Sequence, residues 1–177
     1  MKVLIMTCAI SLLFSIFTLF QYDCNQLQLW EERIKWEADN AADAAALYYE
    51  LEEFSEGTKV FDKSEGNEAV AYVLKDNLDP DGDGAIRNEV LGDKFEYYVY
   101  YFDGNGTMTA YKGTTKICES AFEFPYSFTE DLTGYTQTIA EATVIVTIDA
   151  GAFNYRLSFI DDPDCIRTSG FDYHSYN

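Results

Sequence analysis

Basic residues are scarce. The chain of 177 residues holds 12 Lys+Arg against 31 Asp+Glu, a formal net charge of -19. A surface of that sign repels phosphate backbones, which excludes nucleic acid as a partner. Histidine occurs once, as His174 in the tail, where a solvent-exposed role is expected rather than a catalytic one. The 4 cysteines include no C-x-x-C pair, so neither a zinc site nor thioredoxin-type chemistry is encoded. G-x-S-x-G, H-E-x-x-H, phosphate-loop and G-x-G-x-x-G patterns are missing too, no pair of carboxylates stands out by spacing, and no catalytic residue is assigned. Between Val3 and Phe54 there is neither proline nor glycine, so nothing in that stretch must break a helix.

That stretch is read as one continuous helix, about 75 Å long at 1.5 Å per residue. Its first part, Val3–Tyr22, carries no charge, and its second part, Asp23–Phe54, is acidic and amphipathic. Three readings of the apolar part are open: a cleaved secretory signal, a membrane anchor, or a helix buried in a filament core. The run ends Thr18-Leu19-Phe20-Gln21-Tyr22, without the small residues of a cleavage site, which favours a retained segment. Lys2 ahead of it keeps the N-terminus cytoplasmic and sends the remainder outward.

Two stripes run along this helix. Leu27, Trp30, Ile34, Ala38, Ala41, Ala45 and Tyr48 fall within an arc of about 80° and are addressed to the chain's own sheet. Small, weakly polar residues occupy another arc of about 100° in the apolar half, Thr7, Cys8, Ser11, Ser15 and Thr18, and allow close approach of helices in an apolar medium. The series Cys8, Ser15, Tyr22, Leu29, Trp36 carries that side into the acidic half. Together Cys8, Ser11, Ser15, Thr18, Tyr22, Leu29 and Trp36 make a candidate assembly face. For Trp36 an alternative is a place at a domain edge or membrane surface.

Gly57 is expected to end the helix, and a second helix is expected over 64–78, capped by Asp62, Ser64 or Glu65. Then comes Asp79-Pro80-Asp81-Gly82-Asp83-Gly84-Ala85-Ile86, a match to the first eight positions of an EF-hand-type loop. Asp79, Asp81 and Asp83 would converge on calcium with the Ala85 carbonyl. Position twelve is Val90, so a shortened loop would be completed by Glu89 or Asp93. The alternative is an Asp/Gly turn without metal.

The aromatic share is 16%, with 14 Tyr and 13 Phe, which points to an ordered β-rich part. An antiparallel sheet of four to five strands is expected over 94–161: Lys94–Asp103, a turn at Asp103-Gly104-Asn105-Gly106, Thr107–Lys112, Phe122–Phe128, a long strand Tyr135–Asp149, and a return over Phe153–Ile160. Residues 162–177 read as an irregular tail. Cys118 and Cys165 form the expected disulfide of the outer domain, worth about 4 kcal/mol from loop-closure entropy, with Cys24 as a competing partner.

The expected fold is therefore α+β, with residues 1–22 as transmembrane or filament-core segment and 23–177 as an extracellular domain. A charge-free segment running into Glu37-Ala38-Asp39-Asn40-Ala41-Ala42-Asp43-Ala44-Ala45-Ala46-Leu47 and then a β domain resembles type IV pilin-like proteins, most closely the TadE/TadG-type pilus proteins of bacteria. Ile5 stands where many mature pilins have glutamate. The resemblance implies a cell-surface filament subunit, held in the cytoplasmic membrane before assembly, whose partners are other copies or related pilins. A membrane-anchored binding module is the other expectation.

Overall fold

A computed structural model describes residues 1–78, 91, 95–157 and 160–172. Helix α1 spans Lys2–Ala46, about 68 Å at helical rise. It is followed by a short α2, Leu51–Ser55, and by α3, Lys63–Leu78. The strands are β1 Glu96–Phe102, β2 Thr107–Lys112, β3 Thr115–Ala121, β4 Tyr126–Thr129, β5 Thr136–Ile139, β6 Thr143–Ala152 and β7 Asp164–Asp172. The main sheet has the order β3-β2-β1-β6-β7 with antiparallel neighbours, and β4-β5 forms a separate ribbon. The chain is α+β, as its pattern of helical and alternating segments requires.

The helix does not run on to Phe54. Its sequence has no breaker at Leu47–Glu50, and a tertiary pairing ends it instead. Tyr49 forms a bridge with Phe61, Glu50 donates its N–H to the Val60 carbonyl at 2.9 Å, and Asp62 donates to the Tyr48 carbonyl at 3.1 Å. Gly57, with φ of +89°, closes α2 rather than α1. Asp62 provides the cap of α3, its Oδ1 accepting from the Ser64 and Glu65 amides at 3.0 and 3.1 Å.

The stripe addressed to the sheet is buried where expected. Ile34, Ala38, Ala41 and Ala45 are fully covered, and Ala42 and Ala46 widen the buried face. Tyr48 is the exception, exposed because the helix has already ended. The alanines let α1 lie close over β6 and β7, while α3 packs beside it. Alternation in the strands then divides the interior. Val99, Tyr101, Val144, Val146 and Ile148 face the helices. Phe102 and Ile145 face the other way, into a second core with Phe128, Ile139 and a ring of Tyr100, Phe122, Phe124, Tyr126 and Tyr135. Covered on both faces, β6 is buried at every residue but its last. The second core absorbs much of the aromatic content, through edge and tilted ring pairs such as Phe102–Phe128 at 5.1 Å and Phe122–Phe124 at 4.8 Å.

Four strand expectations change. The strand expected over Phe122–Phe128 is only β4, Tyr126–Thr129, and it lies in the separate ribbon. Tyr135–Asp149 is two strands, β5 and β6, belonging to different sheets. Asp149-Ala150-Gly151 is a bulge within β6, held by Asp149 Oδ1 accepting the Gly151 amide at 3.0 Å, and not a hairpin turn. The return strand is β7, in the stretch that reads as a tail, and residues 154–157 form no strand. Its sequence, Asp164-Cys165-Ile166-Arg167-Thr168-Ser169-Gly170-Phe171-Asp172, has little apolar alternation because it is an edge strand. Strand β7 is recruited by its ladder to β6 and by ion and hydrogen-bond pairs to α1, Arg167–Glu31 at 2.5 Å and Ser169–Asp39.

Candidate assembly face along the first helix

Helix α1 is long and apolar enough to cross a membrane, and the domain covers none of its most apolar stretch. Among residues 1–20 every side chain is exposed except that of Ile16, which is half-buried. Leaving such a surface in water is costly, at about 25 cal/mol per Å² of apolar area. Exposure alone does not separate Cys8, Ser11, Ser15 and Thr18 from the leucines and phenylalanines around them.

Hydrogen bonding does. Thr7 Oγ1 donates to the Val3 carbonyl at 3.0 Å, Ser15 Oγ to Ser11 at 2.9 Å and Thr18 Oγ1 to Phe14 at 2.9 Å. These hydroxyls are satisfied within the helix, which makes them tolerable in an apolar medium. Thr7, Ser15 and Thr18 thus need no hydrogen-bonding partner outside the helix. The stripe offers a low-relief surface for close van der Waals contact.

At the end of the apolar run the helix is bolted to the domain. Asp23, the first charged residue after Lys2, is 3% exposed. Its Oδ2 accepts the Arg156 amide at 3.1 Å, and its Oδ1 lies 3.5 Å from Arg156 Nε. The Arg156 guanidinium stacks over Tyr22 at 4.6 Å, and Phe20 and Tyr155 meet at 6.3 Å. Tyr22, expected on the assembly face, carries the Arg156 guanidinium on its ring and stays 47% exposed. This collar joins residues 133 positions apart, and nothing local in the sequence signals it.

Beyond the collar the outward side reappears. Leu29 is 59% and Trp36 71% exposed, flanking a shallow depression of about 240 Å³ with Glu32, Arg33 and Glu37. Arg33 is not free to meet a partner. It donates to the Asn77 carbonyl at 2.5 Å and stacks over Trp30 at 5.0 Å. Glu37 Oε2 accepts from Asn77 Nδ2 at 2.6 Å. These ties hold the end of α3 to α1 and leave Leu29 and Trp36 as the open apolar pair.

The remaining expected sites divide. Asp79, Asp81, Asp83, Ala85, Glu89 and Asp93 lie outside the described residues, as does His174. The expected Cys118–Cys165 disulfide is not formed, because both thiols are free. Cys118 is exposed on β3 and Cys165 buried on β7, the two edges of the five-stranded sheet. Four strand spacings separate them, about 19 Å, far beyond the reach of a disulfide. Burial pushes the Cys165 thiol up to about 11, with Glu31 adding to the shift and Arg167 opposing it. Cys24 is also free.

Tyr98 and Tyr100 are half-buried. Tyr100 donates to Glu130 Oε1 at 3.4 Å and packs on Phe128, and burial with the Glu130 charge pushes its phenol well above the ordinary range. Comparison with protein-family models, with curated proteins and with solved structures finds no match to this chain.

Proposed function

We propose that the protein is a membrane-inserted subunit that assembles through its N-terminal helix into a pilus-like surface filament. The observation that carries this reading is the rigid passage from apolar half to domain. Helix α1 continues unbroken through Tyr22, and the Asp23–Arg156 collar fixes the domain to it. A tether needs no such rigidity. An assembling helix does, because the register between copies must set the positions of their domains. The stripe from Thr7 to Thr18, with the Thr7, Ser15 and Thr18 hydroxyls satisfied within the helix, and the open pair Leu29 and Trp36 supply the surface for neighbouring copies. The resemblance to TadE/TadG-type pilus proteins supports the same reading.

Electron microscopy of cells and of detergent-depleted full-length protein tests it. Filaments are expected, and Ser11→Leu with Ser15→Leu should abolish them while the domain's melting temperature stays unchanged. A monodisperse protein in detergent, with no filament or pilus complex in cells, would remove the proposal. The alternative is a membrane-anchored extracellular binding module. Its support is the open groove between the far end of α1 and α3.

A further inference from the structure

Between the end of α1 and helix α3, at the far end of the domain, lies a groove of about 420 Å³. One wall is Ala44 in the last turn of α1 with Leu47 and Tyr48 just beyond it. The other is Glu65, Glu68, Ala69, Tyr72 and Val73 from α3, at helical spacing i, i+3, i+4, i+7 and i+8. Its volume falls within the range of ligand-binding clefts, about 300–1,000 Å³. Large apolar side chains stand open along it, with Leu47 73%, Tyr48 42% and Tyr72 72% exposed. Such a concentration on the water-facing end of a domain marks a contact surface. From Tyr22 the groove lies about 33 Å along α1, clear of any membrane holding the apolar half.

Charge decides what fits. Glu65 and Glu68 are exposed on the same wall, and among the described residues neither has an ion-pair partner. Two tyrosine faces beside two unpaired carboxylates suit a cation, through charge-assisted hydrogen bonds and cation–π contact. The alanine and valine floor suits an apolar side chain. A second copy of this chain is a poorer occupant, since it carries only 12 Lys+Arg against 31 Asp+Glu and so has few cations to offer Glu65 and Glu68.

We infer that this groove docks a basic, apolar segment of a different protein, with arginine or lysine side chains reaching Glu65 and Glu68 across Tyr48 and Tyr72. The inference does not depend on filament formation.

The test uses the full chain in zwitterionic nanodiscs, with empty nanodiscs as reference. The probes are an octapeptide alternating arginine with leucine, and its counterpart with glutamate for arginine. Methyl resonances of Ala44, Ala69 and Val73 report the groove. The arginine peptide is expected to shift them saturably and the glutamate peptide to leave them unmoved. Glu65→Gln with Glu68→Gln should weaken binding on the order of tenfold, the scale of two exposed charge pairs. Tyr72→Ala, at an exposed position that leaves the core intact, should weaken it several-fold. Equal binding of the two peptides, an unchanged affinity in the double glutamine variant, shifts scattered over the acidic surface, or no saturation would each overturn the inference. Concentration-dependent shifts without peptide would assign the groove to a second copy instead.

Discussion

Gly66 and Tyr101 make one contact whose removal has a sign that depends on its neighbour. Gly66 lies inside α3, where alanine would ordinarily stabilise by about 1 kcal/mol. A Cβ at Gly66, however, would meet Tyr101 Oη at 2.7 Å, with the next atoms, Ala45 O and Tyr101 Cε1, at an ordinary 3.4 Å. Tyr101 cannot swing away. It is fully buried, and its hydroxyl donates to Asn67 Oδ1 at 3.1 Å. Overpacking of this kind costs about 2 kcal/mol, so Gly66→Ala should destabilise by about 1 kcal/mol net. In a Tyr101→Phe background the obstructing oxygen is gone. The same substitution should there stabilise by about 1 kcal/mol, a coupling of about 2 kcal/mol. Thermal unfolding of the four full-length variants in one detergent reads this directly. Melting temperature should fall about 3 °C on adding Ala to the wild type and rise about 3 °C on adding it to the Phe variant. Equal shifts of one sign in both backgrounds would show that the hydroxyl is not the limiting contact.

Other outcomes follow from the collar, the cysteines and the calcium-type loop. Asp23→Ala removes the acceptor of the part-buried Arg156 amide, a loss of about 1 kcal/mol, and hydrogen exchange at that amide should quicken while β1 amides change least. Unchanged exchange at Arg156 would dismiss the collar as a structural tie. Native alkylation at pH 8, mapped by mass spectrometry without reductant, should modify exposed Cys118 and spare buried Cys165, whereas a disulfide would protect both. The folded Cys165 thiol titrates near 11 against an ordinary 9, so its share of stability is full below about pH 9 and is lost as pH rises toward 11. Cys165→Ala should flatten that alkaline decline, and an identical decline would place its origin elsewhere. Calcium should raise the melting temperature through Asp79, Asp81 and Asp83, and no shift, with no change on Asp81→Ala, would dismiss the metal.

Periodicity carried much of the fold. An uncharged run of helical length, an alanine stripe at 3.6-residue spacing and aromatic alternation around an Asp-Gly-Asn-Gly turn place α1, α3, β1 and β2, because each depends on local propensity and on one face being apolar. Edge strands lacked that signal. β3 is exposed at every residue and β7 is polar along much of its length, so their pairing partners define them. The aromatic ribbon of β4 and β5 was hidden for another reason. Alternation shows that a strand has two faces, and it does not show that a second layer covers the outer one.

For the candidate site the division is similar. The residues before Tyr22 form a long apolar helical surface whatever the fold, since no charge among Val3–Tyr22 interrupts it. That surface was contained in the sequence alone, as was the strong net negative charge. Where the helix stops, how it is joined to the domain and which thiols approach each other were decided by tertiary structure. Ala46 ends α1 because Tyr49 pairs with Phe61, Asp23 is buried because Arg156 arrives from the far end of the chain, and Cys118 and Cys165 stay apart because the sheet order puts them on opposite edges. Each depends on contacts between distant segments, whose energies exist only once the backbone has brought them together.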